Sequence, residues 1–403
     1  GLIYYKGKYH LFFQHNPFEN VWGHMSWGHA VSEDLINWTE LPVAIGDDET
    51  HAIFSGSAIV DYFNTTGLGT LENPAMVAIY TAHKHDDSHQ SQALAYSLDE
   101  GLTWVKYEGN PVLDLQLDHF RDPKVMWDTT TESWLMSVVL PKAKKVSFYT
   151  SDNLKEWRHL SNFGPAGATD GDWECPDLFP LFIDGDPTIV KWILVISINP
   201  GGLTGGSGTQ YFIGQWNGKE FIADDLQTRW LDYGRDNYAG VTFSNAPENK
   251  KIFLGWMSNW HYAGKAPTDP WRSAMTLPRE LSLQGDRIIQ TPVIHPNGFP
   301  EVSFTTQEGA ILICESNERY VEIGVRNQKL YVDTSRAWND LDAPTLQEIA
   351  IEKGEIDIRV IVDRGSVEVF AAGGTVVLTN LVFVETALTS VAPLAGANNL
   401  KVA

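Results

Sequence analysis

Cysteine is nearly absent from this chain of 403 residues: only Cys175 and Cys314 occur. No disulfide framework can therefore hold the fold together, and the spacing does not suggest a bridge between the two. Long apolar runs are missing as well. Nothing approaches the roughly 18 consecutive apolar residues of a membrane-spanning helix, so none is expected. Basic residues are scarce, with 29 Lys and Arg against 51 Asp and Glu and a net charge of −22. That balance excludes nucleic acid and anionic membrane surfaces as expected partners, because both demand a positive footprint. It suits a neutral substrate and an acidic medium. Helical periodicity is almost absent too.

Signals for a metal or cofactor are equally thin. His83-Lys84-His85 with His89 shows no consistent ligand spacing and reads as a solvated loop. Asp170-Gly171-Asp172 lacks the ligand series of a calcium loop. The glycine-rich stretch 201–208 lacks the Gly-Lys-Ser/Thr ending of a phosphate loop. It reads as a flexible loop over a pocket. No metal and no cofactor are expected.

What the chain does contain is a series of short β-rich runs. They lie at 9–14, 52–60, 76–82, 134–139, 193–198, 210–216 and 252–257, separated by Gly, Asn, Asp and Pro clusters. This is an antiparallel all-β pattern. A weak repeat sharpens it: Ser32-Glu33-Asp34-Leu35-Ile36-Asn37-Trp38 resembles Ser151-Asp152-Asn153-Leu154-Lys155-Glu156-Trp157. Looser copies are Ser97-Leu98-Asp99-Glu100-Gly101-Leu102-Thr103-Trp104 and Asn217-Gly218-Lys219-Glu220-Phe221. Each has the form of a hairpin turn closed by an aromatic. The aromatics stand at 38, 104, 157 and 221, and one four-stranded blade per repeat gives about four or five blades. The expected architecture is a propeller over 1–290, a linker over 291–302 and a small β-sandwich over 303–403, where plain alternation takes over.

Two sequons, Asn37-Trp38-Thr39 and Asn64-Thr65-Thr66, favour a secreted protein with N-glycans at Asn37 and Asn64. The chain opens on Gly1 with no initiator Met or leader, as a mature or trimmed product would.

Two carboxylates stand in distinctive settings, Asp122 in Phe120-Arg121-Asp122-Pro123 and Glu174 in Trp173-Glu174-Cys175-Pro176. A fixed cation beside Asp122 favours its ionised form, while an indole and a thiol favour a neutral Glu174 if they bury it. Glycoside hydrolysis needs such a pair, one protonated to assist the leaving oxygen and one ionised. The bland alternative is a structural Arg–Asp pair plus a surface Glu. Trp22, Trp27, Phe54, Trp256 and Trp260, set among Gly and polar residues, tilt the balance toward a sugar pocket, since aromatic faces stack on sugar rings.

These motifs, together with Phe54-Ser55-Gly56-Ser57 and His10-Leu11-Phe12-Phe13-Gln14-His15-Asn16-Pro17, resemble glycoside hydrolase family 32. That family holds invertases, exo-inulinases and levanases. Ser207-Gly208-Thr209-Gln210-Tyr211-Phe212, Pro270-Trp271-Arg272-Ser273-Ala274-Met275 and Val362-Asp363-Arg364-Gly365-Ser366-Val367-Glu368-Val369-Phe370 extend the likeness along the chain. The resemblance implies a five-bladed propeller, a β-sandwich and retaining hydrolysis of terminal β-fructofuranosides in sucrose, inulin or levan. By motif it makes Glu174 the general acid/base and Asp122 the stabiliser that binds fructose hydroxyls. It makes Gln14, Trp22, Phe54, Ser55, Arg121 and Trp260 substrate contacts, and Cys175 a thiol that helps keep Glu174 protonated. A fructosyltransferase and a non-catalytic fructan-binding protein are the alternative outcomes.

One departure matters. The family nucleophile is the Asp of a Trp-Met-Asn-Asp-Pro-Asn-Gly segment, and Gly1-Leu2-Ile3-Tyr4-Tyr5 matches the stretch that begins at its final Gly. The nucleophile is thus expected upstream of Gly1, the first propeller strand shortened, and residues 1–403 alone inactive or nearly so.

Overall fold

The structure, a computed structural model, describes residues 1–293, 299–337 and 341–403. Every sequence-expected run is a strand, usually longer by a residue or two because the ladder continues into polar positions. Examples are Lys8–His15, His51–Val60, Met76–Lys84 and Ser133–Leu140.

The first half of the fold is a set of antiparallel meanders. Leu2–Tyr5, Lys8–His15, Ser26–Ser32 and Thr39–Ile45 form the first, in chain order. His51–Val60, Met76–Lys84, Gln90–Ser97 and Val105–Lys106 follow, then Arg121–Asp128, Ser133–Leu140, Lys145–Ser151 and Arg158–Phe163. A ten-stranded sheet carries two more meanders, beginning at Asp172–Ile183 and Tyr238–Thr242 and joined by a single parallel pair, Ile183 with Leu283. These are five blades. Their inner strands pack side by side, and the ring closes where Ile3 bridges Ser244 in parallel.

The repeat seen in sequence is a real turn with a physical cause. Ser32 Oγ accepts from Leu35 N at 2.8 Å, Asp34 Oδ1 accepts from Asn37 N at 2.7 Å, and Trp38 Nε1 donates to Leu35 O at 3.0 Å. Ser151, Asn153 and Trp157 repeat it, with Leu154 N on Ser151 Oγ at 2.8 Å and Trp157 Nε1 on Leu154 O at 3.1 Å. Leu35 and Leu154 share a left-handed φ of 68° and 62°. The side-chain oxygens satisfy the backbone there and offset the strain.

Beyond the propeller, two five-stranded sheets face each other around an aliphatic core that includes Val302, Ile311, Val321, Ile358, Val367 and Leu378. This is the β-sandwich. Residues 294–298 of the expected linker lie outside the described residues; strands Arg287–Pro292 and Glu301–Thr306 border them.

The sandwich meets the propeller through buried charge. Arg279 donates to Asp232 Oδ2 at 2.9 Å and to Glu368 Oε2 at 2.7 Å. Asp236 accepts from Leu381 N at 2.8 Å, and Arg235 donates to Leu381 O at 2.8 Å. Residues 232–236 are thereby fastened to strand Val376–Leu381, just before the inner strand of the fifth blade.

Candidate active site

Four inner strands carry a register break near their starts, between Ile53 and Gly56, Arg121 and Lys124, Glu174 and Asp177, and Tyr238 and Val241. Pro123 and Pro176 explain two of these breaks, since proline cannot donate to a ladder. Bulges re-aim side chains, and here they aim Phe54, Arg121, Glu174 and Tyr238. Asp122, Cys175 and Ala239 hold left-handed φ values of 65°, 48° and 54°. Each strained N–H finds a side-chain acceptor. Asp122 N donates to Thr81 Oγ1 at 3.0 Å, Cys175 N to Asp122 Oδ2 at 2.9 Å and Ala239 N to Ser197 Oγ at 3.0 Å.

Glu174 is gripped on both oxygens. Arg121 donates to Oε1 from Nε at 3.0 Å and Nη2 at 2.9 Å, and the Tyr238 hydroxyl donates to Oε2. The carboxyl still keeps 22% of its side-chain surface exposed. Arg121 therefore pairs with Glu174, not with its sequence neighbour Asp122. Burial works against the Arg121 charge, yet Glu174 and Asp122 outweigh it and hold its pKa up. Tyr238 is raised well above the usual phenol range by burial and by the Glu174 charge.

Asp122 departs from the sequence expectation. Its pKa is pushed up to about 6 by burial, with Glu174 adding and Arg121 opposing. The neighbouring cation is there, but desolvation wins. Cys175 is corrected too: its thiol donates to Asp122 Oδ2 at 3.6 Å, not to Glu174. Burial, then the Asp122 charge, raises the thiol well above its normal range. Both cysteines are free and buried.

The remaining expected residues fall on two flanks. On one, Gln14 Nε2 donates to Ile53 O at 2.9 Å, Trp22 stands edge-on to Phe54 at 6.2 Å, and Ser55 follows in the bulge. On the other, Trp260 packs on Trp256 at 5.2 Å, and Trp256 on Tyr238 at 6.2 Å. Trp22 and Trp260 are 64% and 45% exposed, open to a ligand.

The glycine-rich 201–208 stretch is pinned rather than loose. Gly202 N bonds Gly206 O at 2.8 Å, and Ser207 Oγ accepts from Trp260 N at 3.1 Å. A Cβ on Gly206 would meet Asn259 Oδ1 at 2.2 Å, so glycine permits this close packing. Through Ser207 the stretch is bonded to Asn259 and Trp260.

Tyr238 and Gln90 join the candidate site although no sequence motif marks them, and His83 joins it although its stretch reads as a solvated loop. A signal for Tyr238 existed: it lies 64 residues beyond Glu174, as Glu174 lies 53 beyond Arg121. Those steps match two spacings of the turn aromatics, so Tyr238 occupies the corresponding place in the next blade. Beneath the carboxylates, the buried Lys124 pairs with Asp177 at 3.4 Å and donates to Thr242 O at 2.5 Å. Among the described residues no group of three or more His, Cys, Asp or Glu is arranged to hold a metal ion.

Two family models cover almost the whole chain: the glycosyl hydrolases family 32 N-terminal domain over residues 1–292, and the family 32 C-terminal domain over 297–401. The chain belongs to glycosyl hydrolase family 32. It is 41% identical to a levanase of Bacillus subtilis, over 95% of this chain and 64% of that protein. It is 43% identical to an extracellular exo-inulinase of Aspergillus niger, over 70% of this chain and 59% of that protein. The chain thus spans roughly three fifths of these two curated relatives. Among solved structures, the exo-inulinase of Aspergillus awamori superposes with a TM-score of 0.93 at 32% identity, covering 100% of this chain and 94% of that one. The fructofuranosidase of Schwanniomyces occidentalis complexed with fructose gives 0.91 at 32% identity, covering 99% and 92%.

Proposed function

We propose that this family 32 chain is the catalytic part of a β-fructofuranosidase that releases terminal fructosyl units from sucrose or fructans. The observation that carries the reading is Glu174, held by Arg121 and Tyr238 beside a buried Asp122 and between two aromatic flanks. The levanase, exo-inulinase and fructose-bound relatives support fructosides as the substrate.

In this mechanism Glu174 protonates the departing glycosidic oxygen, then removes a proton from the water that frees fructose. Asp122 binds fructose hydroxyls. With its pKa near 6, its neutral form is well populated in a mildly acidic medium, where it both donates and accepts. Cys175 supports Asp122 through its N–H and thiol. In this reading the nucleophile is a third carboxylate, the Asp of the family's Asp-Pro-Asn-Gly segment, to whose final Gly Gly1 corresponds. The Gly1 nitrogen, which donates to Phe12 O at 2.9 Å, lies near Lys124 and Cys175.

The test compares residues 1–403 with the same chain preceded by Asp-Pro-Asn, on sucrose, inulin and levan. The extended chain is expected to release fructose at least about 10⁴-fold faster. Equal rates from both would overturn the nucleophile assignment; no release from either would overturn the function. New oligosaccharides at high sucrose would mark a transferase instead. We extend the proposal to a secreted protein with N-glycans at the exposed Asn37 and the half-buried Asn64.

A further inference from the structure

His83 is drawn out of the solvated stretch and into the site. It lies near the end of strand Met76–Lys84, opposite Ala52 on one side and Gln90 on the other. The bulge after Ile53 turns Phe54 back onto it, and the two rings stack face to face at 4.4 Å with only 13° between their planes. In sequence it stands with His85 and His89 in a stretch that reads as solvated. The bulge, which alternation alone does not reveal, decides otherwise.

The hydrogen bonds fix which imidazole nitrogen carries the proton. Gln90 Oε1 accepts from Phe120 N at 3.0 Å and from Arg121 Nη1 at 3.4 Å, so its other terminal atom is the amide nitrogen. That nitrogen faces His83 Nδ1 at 3.4 Å, and Nδ1 must accept. Burial lowers the His83 pKa, and the nearby His85, Arg121, His119 and His51 charges lower it further, in the direction of the neutral ring that this geometry requires. A neutral ring with an accepting Nδ1 carries its hydrogen on Nε2. No partner for that Nε2–H exists among the described residues. His83 also connects the Phe54 flank to Arg121 through Gln90.

We propose that His83 is a substrate-binding residue whose Nε2–H donates to a sugar hydroxyl beside the Phe54 ring, setting affinity for the fructoside. The chemistry matches that of sugar recognition, in which an aromatic face takes the C–H surface and an adjacent in-plane donor takes a hydroxyl. The inference rests on the fructofuranosidase reading.

Sucrose binding by the full chain, followed through tryptophan fluorescence, tests it with two variants. His83→Phe keeps the stack and removes the donor, and Kd is expected to rise about three- to tenfold, the worth of one neutral hydrogen bond. His83→Gln gives up the stack but offers an amide donor, and is expected to recover part of that loss. In the extended, active chain, His83→Phe is expected to raise KM with kcat within about twofold, as for lost uniform binding. Unchanged affinity in His83→Phe, or equal weakening in both variants, would overturn the His83 role alone. Absence of binding by the unaltered chain to sucrose, inulin and levan would overturn the fructosidase reading and this inference together.

Discussion

The open end of the propeller ring and the seam between the domains both bury an arginine against carboxylates, yet they are finished differently. At the seam, Arg279 and Glu368 have side-chain exposures of 0% and 2%. Gln290 and Thr379 take the remaining Arg279 donors except Nε, and Glu368 Oε1 accepts from Leu277 N at 2.7 Å. Asp232 accepts from Gly234, Asn237, Thr379 and Arg279. At the site, Arg121 and Glu174 keep 11% and 22% exposure. Burial and perturbed titration occur in both places, since burial raises the pKa of both Glu368 and Asp122. What separates the candidate site from the structural seam is therefore not the shifted pKa. It is the presence of polar atoms that remain reachable.

The comparison breaks most sharply at Glu174. Glu174→Gln in the extended chain is expected to lower kcat by about 10²- to 10⁴-fold, the range for a general acid/base, while the thermal midpoint barely moves. A midpoint that collapsed with activity would mean the site is as structural as the seam. Next comes Arg279→Met, which leaves Asp232 and Glu368 buried without their cation. Stability should fall by about 3–5 kcal/mol in denaturant titration, with kinetics below the transition little altered.

A smaller effect separates the clusters by pH. The fold raises Asp122 from the ordinary 3.8 to about 6, so it favours the protonated form. That stabilisation is complete below pH 3.8 and is lost as pH rises through about 6. Relative to Asp122→Asn, which cannot titrate, the native chain should lose stability across this window. Thermal midpoints of both proteins from pH 3.5 to 7 check the sign, and a constant difference would count against it. The smallest effect is at the rim. Trp22→Ala should raise KM about two- to fivefold and leave stability within about 0.5 kcal/mol, because this ring is already in solvent.

Much of this was legible in the sequence because it is local. The Ser-x-Asp/Asn-Leu turns at 32–38 and 151–157 bond within themselves, so the same letters give the same structure twice. Pro123 and Pro176 mark two of the bulges. What escaped the reading is non-local. Arg121 reaches across 53 residues to Glu174, and Tyr238 across 64. Cys175 touches Asp122 of the preceding blade, which no flanking residue reveals. The seam joins Thr379 to Asp232 over 147 residues, and both look like ordinary surface polar groups when read in line.

Strand periodicity, the blade repeat, the family and the two carboxylate motifs are legible in the linear chain, because each is written in residues a few positions apart. Which cation serves which carboxylate, and the turn of Asp122 toward its neutral form, were decided by the folded ring. Those outcomes depend on desolvation and on contacts between blades, and neither exists until the ring closes.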